Sequence, residues 1–138
     1  MGKTSIYLND TLATRIDPIL KRLAAVESDK PRGLSAALTL VADRYYALMI
    51  REVNYLRGLF TEGERNLMLN NALSTIYEPA DSIPGAVLAD TEDEADGIYK
   101  YYGVDRTALL AKLRGLNLGQ QFALVDWQIG RASWRERV

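Results

Sequence analysis

The sequence predicts a mainly α-helical protein in which one short N-terminal strand precedes two helices and then a small all-helical domain. Polar and apolar residues alternate from Lys3 to Asn9, which is the pattern of a strand. Further along, apolar residues recur at helical spacing, and capping residues or glycines mark the ends of successive segments. We therefore expect one domain at 1–58 and a second, helical domain at 59–128.

The predicted strand requires a partner, because a single strand is not stable alone. No second matching segment lies nearby in the chain, so the simplest partner is the same strand of another copy. This reasoning predicts a homodimer. Alternation places Thr4, Ile6 and Leu8 on one face of the strand, and it places Lys3, Ser5 and Tyr7 on the other face.

A first helix is predicted after the strand, with Asp10 as its N-cap. Pro18 interrupts this segment, and two interpretations remain open. We favour a helix kinked at Pro18. In the alternative, residues 11–16 form a second strand and the helix begins at Asp17. The apolar residues at helical spacing are Leu12, Ile16, Ile19, Leu23 and Val26.

A second, long helix is expected from Leu34 or Ser35 to a stop at Gly58. Its apolar positions include Leu38, Val41, Tyr45, Leu48, Met49, Val53 and Leu56. In the second half, from residue 59 onward, we expect helices only. A capping box at Thr61 and Glu64 opens a helix that ends near Ile76, and Pro84 lies in the first turn of a helix that runs to Tyr102. Asp105 caps a short helix that ends at Gly115, and Asn117 with Gln120 opens the last helix.

Composition argues against several classes of function. The chain has neither Cys nor His, so it lacks the usual thiolate nucleophile, the usual general base near neutral pH and the commonest metal ligand. We expect a protein that is not an enzyme and that needs no metal or other cofactor. Its apolar stretches are too short for a membrane span and no signal peptide is recognised, which predicts a cytoplasmic protein without a membrane partner.

Charge is distributed unevenly along the chain. The first 58 residues carry nine Lys or Arg and six Asp or Glu, whereas residues 59–128 carry five and eleven. The densest acidic run comprises Asp90, Glu92, Asp93, Glu94 and Asp96. We interpret it as a solvated helix face, with Lys100 pairing to Asp96, rather than a metal site. The neighbouring Tyr99, Tyr101 and Tyr102 are interpreted as packing residues.

The segment from Lys3 to about Ala47 resembles the ribbon-helix-helix family of bacterial and phage DNA-binding regulators. The resemblance implies an intertwined dimer whose paired strands enter the major groove of double-stranded DNA. Lys3, Ser5 and Tyr7 would read bases. Gly33, Leu34 and Ser35, at the start of the second helix, would hold a phosphate together with Lys30 and Arg32. The dimer core would contain Ile6, Leu8, Leu12, Ile16, Leu38 and Val41.

The last ten residues, from Ile129 to Val138, resemble the translated sequence of a short-read sequencing adapter. The adapter would place Cys where this chain has Trp134. We expect 129–138 to be a non-native tail, and its three arginines are not counted as a nucleic-acid patch.

Two functions follow from these observations. The first is a homodimeric, sequence-specific transcriptional repressor of a bacterial mobile element, either a phage or a plasmid. The alternative is a protein-interaction module, such as an antitoxin or a phage-encoded inhibitor, that binds a protein partner through its acidic helical C-terminal half. A helix-turn-helix reader at 106–127 is a weaker hypothesis, because its second helix offers mainly core residues.

Overall fold

A computed structural model of the chain describes residues 9–26, 33–75 and 78–137, with side chains as far as Gln128. Every regular element within these ranges is helical. The elements are α1 (Asp10–Val26), α2 (Leu34–Leu59), α3 (Glu62–Ser74), a single 3-10 turn (Ala80–Ser82), α4 (Ala86–Glu92), α5 (Asp96–Tyr102), α6 (Arg106–Arg114) and α7 (Leu118–Arg137).

The predicted fold class with an N-terminal ribbon is wrong, because the described residues form helices without a strand or a sheet. Residues 3–8 of the expected strand lie outside the described residues. Its last residue, Asn9, is described and belongs to a helix start. The Asn9 side-chain oxygen accepts a hydrogen bond from the Leu12 amide at 2.8 Å, and its carbonyl accepts from the Ala13 amide. Asn9, rather than Asp10, therefore caps α1.

The helix α1 passes through Pro18. The alternative of a strand at 11–16 is therefore wrong, and the prediction that one helix continues through Pro18 to Val26 is confirmed. The kink expected at Pro18 stays a prediction. An exposed ion pair joins Lys21 to Asp17 at 2.8 Å, one turn apart on this helix. The carboxylate of Asp17 raises the pKa of Lys21 through this hydrogen bond and its charge.

Three capping predictions in the second half are confirmed. Thr61 and Glu64 form a reciprocal capping box at the start of α3. Asp105 caps α6 through the Thr107 amide, and Asn117 exchanges backbone-to-side-chain hydrogen bonds with Gln120 at the start of α7. Each of these caps depends on residues within three positions, so the sequence alone specifies them.

The single helix expected from Pro84 to Tyr102 is wrong, since two short helices occupy this segment. Gly85 has a φ of 83° and precedes α4, so Pro84 lies outside the helix rather than in its first turn. The chain leaves helical geometry again between Glu92 and Asp96. The predicted end at Tyr102 is confirmed, and the next residue, Gly103, has a φ of 66°, the left-handed conformation that glycine adopts without strain.

The chain divides into two compact units, residues 1–47 and 48–138. The division falls inside α2, before the boundary expected at Gly58. In the second unit α3 packs against α4, α5 and α7, and α4 packs against α6. The core of this unit contains Leu56, Phe60, Leu67, Met68, Ala72, Val87, Tyr99, Leu109, Leu110, Leu113, Leu116, Ala123, Leu124 and Val125.

Gly63 permits a close approach between α3 and the end of α5. A Cβ atom at this position would lie 2.6 Å from the Tyr102 carbonyl oxygen, which is a backbone atom and cannot move alone. We expect Gly63→Ala to lower the free energy of unfolding by about 1–3 kcal/mol, as overpacking does elsewhere. Urea denaturation measures this change.

The matched control is Gly97→Ala in α5, where a Cβ would meet no atom within 4 Å. This variant should unfold at the same or a slightly higher urea concentration, because alanine favours the helix. Equal destabilisation by the two substitutions would show that the α3–α5 contact is not tight.

Candidate functional site

Several predicted site residues lie outside the described part of the chain. They are the base readers Lys3, Ser5 and Tyr7, the dimer-core residues Ile6 and Leu8, and the phosphate-binding Lys30 and Arg32. Their roles remain predictions.

The other predicted phosphate-binding residues lie at the start of α2. The Gly33 carbonyl accepts a hydrogen bond from the Ala37 amide at 3.3 Å, so Gly33 occupies the N-cap position. Leu34 is half-buried and Ser35 is exposed in the first turn. The first amides of a helix have no acceptor within that helix and suit an anion. Phosphate binding here is compatible with this geometry and remains a prediction.

The helical residues of the predicted dimer core differ in exposure. Ile16 is buried, Leu12 and Leu38 are half-buried, and Val41 is exposed. These side chains therefore include apolar surface that is not fully covered within one copy.

Five carboxylates lie at or near the turn that joins α4 to α5. We call this surface the acidic corner, and it comprises Asp90, Glu92, Asp93, Glu94 and Asp96. Arg106 holds its backbone by donating hydrogen bonds to the carbonyls of Glu92 (2.5 Å) and Glu94 (3.1 Å). The Glu92 carbonyl belongs to the last residue of α4 and the Glu94 carbonyl follows the helix by two residues, so both lie at a helix C-terminus, where a cation is favourable.

Two of the carboxylates in the acidic corner contact arginines. Glu92 pairs with Arg114 at 2.6 Å, and Asp96 lies 3.7 Å from Arg106. The expected pair between Asp96 and Lys100 is therefore replaced by one with Arg106, which comes from a different helix. Within the described part of the chain, the other three carboxylates of the corner form no ion pair with a cation. The corner consequently carries excess negative charge.

Buried hydrogen bonds attach the acidic corner to the core. The Tyr99 hydroxyl donates to the Thr91 backbone carbonyl at 2.5 Å, and the side-chain amide of Asn71 donates to the Thr91 hydroxyl at 3.3 Å. Burial raises the pKa of the Tyr99 phenol, while Arg106, 5.3 Å from the ring centroid, acts in the opposite direction. Tyr99 is thus a packing residue, as the sequence predicts.

Tyr101 differs from Tyr99, and its interpretation as a packing residue is wrong. Tyr101 is 80% exposed, and its ring forms a T-shaped pair with the ring of the partly buried Tyr102, at 4.9 Å between the ring centroids. Ile98, three residues earlier on α5, is also exposed. Residues three apart on a helix share a face, so an apolar pair lies on the helix that begins at the acidic corner.

An apolar cavity of about 100 Å³ lies elsewhere in the second unit. Val87, Leu113, Leu116 and Leu124 contribute to its wall, and Gln121 lies at its edge. The Gln121 side chain is already engaged, since it accepts from the Gly85 amide at 2.7 Å and donates to the Leu116 carbonyl at 3.2 Å. The cavity has room for one small apolar group.

Because Leu124 and Val125 are buried, α7 contributes to the core, as the sequence predicts.

The described residues contain no group of three or more His, Cys, Asp or Glu side chains placed to hold a metal ion. They also contain no helix with both the length and the apolar character needed to cross a bilayer.

Comparison of the chain with protein-family models, with curated proteins and with solved structures gives no significant match.

Proposed function

We propose that this chain is a protein-interaction module whose second unit binds a basic protein partner through the acidic corner and the adjoining face of α5. The observation that carries the proposal is the exposed pair Tyr101 and Ile98 beside a turn with excess negative charge. Interfaces commonly combine an aromatic anchor with charges of complementary sign.

The two features serve different parts of recognition. Carboxylates steer a basic partner towards the surface and make association depend on salt concentration. Tyr101 supplies apolar area that loses water on binding, and its hydroxyl can form a hydrogen bond at the rim of the interface. An antitoxin or an inhibitor that masks a basic surface would use this combination. We place this activity in the cytoplasm, following the expectation from the sequence.

Sequence-specific DNA binding is the competing hypothesis. It depends on Lys3, Ser5 and Tyr7, for which the described residues offer no support. The acidic corner would repel DNA phosphates if it faced a duplex. We therefore treat DNA binding as an outcome that the experiment must distinguish.

The proposal is tested by selecting peptides from a display library on the immobilised full-length chain. Each selected peptide is then titrated against variants. We expect peptides that combine Lys or Arg with apolar residues. Tyr101→Ala and Asp93→Lys should each weaken binding by about tenfold, which corresponds to roughly 1.4 kcal/mol. The control is Leu118→Ala, which removes an exposed apolar side chain from α7 and should leave the affinity unchanged.

The same proteins are titrated with duplex DNA. Salt-dependent DNA binding that Lys3→Ala with Tyr7→Ala abolishes would favour the regulator hypothesis. Peptide binding that is insensitive to Tyr101→Ala and Asp93→Lys would contradict the proposed surface.

A further inference from the structure

The described residues of the first unit, 9–26 and 33–47, bury very little apolar surface. Among the described residues up to Ala47, the buried apolar side chains are Ile16 and Ala37. The main core cluster begins only at Leu56, in the second unit. A unit as small as residues 1–47 buries only a modest share of its surface, and with so few buried apolar side chains it needs stabilisation from another source, such as a disulfide, a metal or association with another chain. The chain has no Cys, and its described residues contain no metal-binding group.

The helices α1 and α2 nevertheless carry apolar residues at regular helical spacing. In α1 these residues recur at intervals of four, three and four, and in α2 the intervals are four, three, four and three. Apart from the buried Ile16, all of them are half-buried or exposed. They are Leu12, Ile16, Ile19 and Leu23 on α1, and Leu34, Leu38, Val41, Tyr45 and Leu48 on α2. Such spacing places the residues of each helix on one face.

The middle of α2 is exposed around its whole circumference. All eight residues from Val41 to Leu48 are exposed, a length of about 12 Å at 1.5 Å per residue. Several of them are large and apolar, including Tyr45 and Tyr46. A helix that is exposed on all sides is normally polar, whereas this composition is typical of a helix covered by other helices.

We infer that two copies of the chain associate through the apolar faces of α1 and of α2 as far as Leu48, and that the four helices form a bundle. Each copy supplies two apolar helix faces, and four such faces form the core of a four-helix bundle. This association uses helices, unlike the strand pairing expected from the sequence. It involves a different surface from the acidic corner and does not depend on the proposed function.

The charges of the first unit favour a second copy over a partner of strong charge. Its described residues include four cations and three anions. The cations are Arg15, Lys21, Arg22 and Arg44, and the anions are Asp10, Asp17 and Asp43. Lys21 and Asp17 already pair within one copy. Two nearly neutral surfaces of mixed sign can approach without repulsion, whereas a strongly acidic or basic partner would gain little.

The inference is tested by sedimentation equilibrium of the full chain at about 1–100 µM, a range that detects micromolar association. We expect the mass of a dimer. Val41→Asp should raise the dissociation constant at least about tenfold, because it places a charge in the apolar core of the bundle. Leu118→Asp is the matched control, since it alters an exposed apolar residue on α7, and it should remain dimeric.

A second measurement separates dissociation from misfolding. The far-UV circular dichroism of Val41→Asp should show a loss of helix from the first unit, while the cooperative thermal transition of the second unit persists.

A spin label tests the association directly. Because the chain has no Cys, Tyr46→Cys allows a single spin label per copy, and a label-to-label distance should appear in the dimer. A monomer at 100 µM would overturn the inference, as would equal dissociation by Val41→Asp and Leu118→Asp.

Discussion

Truncation of Leu109 to alanine is expected to destabilise the second unit by about 2–5 kcal/mol, the usual range for a leucine in a packed core. Leu109 lies on α6 and is 0% exposed. Removing its branched end takes away apolar contacts and leaves a cavity that the neighbouring helices fill only in part. A loss of this size is a large fraction of the stability of an ordinary domain.

Urea denaturation followed by circular dichroism measures the loss. The same substitution at Leu118 is the control, because this side chain is 56% exposed on α7. We expect Leu118→Ala to change the free energy of unfolding by less than about 0.5 kcal/mol. If Leu109→Ala were equally mild, α6 would not pack into the core as described.

Replacement of Lys112 by methionine is expected to cost about 2–3 kcal/mol of stability, since it leaves a buried carboxylate without its cation. The Lys112 ammonium lies 2.6 Å from Glu64 Oε1, and the Glu64 side chain is only 5% exposed. The same carboxylate oxygen accepts from the Thr61 amide in the capping box. Lys112 itself is 27% exposed, so the expected loss is below that for a fully buried pair.

A double-mutant cycle isolates the charge effect. Glu64→Gln retains a carbonyl oxygen for the Thr61 amide but removes the negative charge, so combining it with Lys112→Met should recover part of the loss. Lys100→Met, at an exposed position of α5, is the control and should have little effect. A double variant as unstable as Lys112→Met alone would mean that lost packing, rather than unpaired charge, is responsible.

These two sites show which parts of the fold the sequence predicts. The capping box of Thr61 and Glu64 is predictable because both residues lie within one turn. The bond from Lys112 to the same carboxylate joins residues 48 positions apart, and no local pattern indicates it. Similarly, the expected Asp96–Lys100 pair obeys helix spacing, but Arg106 reaches Asp96 from another helix. Local geometry is predictable, whereas partners from distant segments are not.

The error in the fold class has a related cause. Alternation over a few residues is a weak signal, because it indicates a strand only if a pairing partner exists. Asn9 shows the limit of the pattern, since its side chain caps a helix instead of ending a strand.

The exposure of Tyr101 could have been inferred from the sequence. In a helix, residues two apart point in opposite directions, so Tyr99 and Tyr101 cannot both face the core.

In the proposed interaction, the position of Arg106 lowers the conformational entropy that the acidic corner would lose on binding a partner. Its guanidinium joins the end of α4 to the start of α5, and the Tyr99 hydroxyl fixes the same segment from the core side. A flexible turn would lose conformational freedom on meeting a partner, at roughly 1–2 kcal/mol per ordered residue. At the acidic corner most of this ordering takes place during folding. The backbone that presents the carboxylates is therefore preorganised, and more of the interaction energy remains available as affinity.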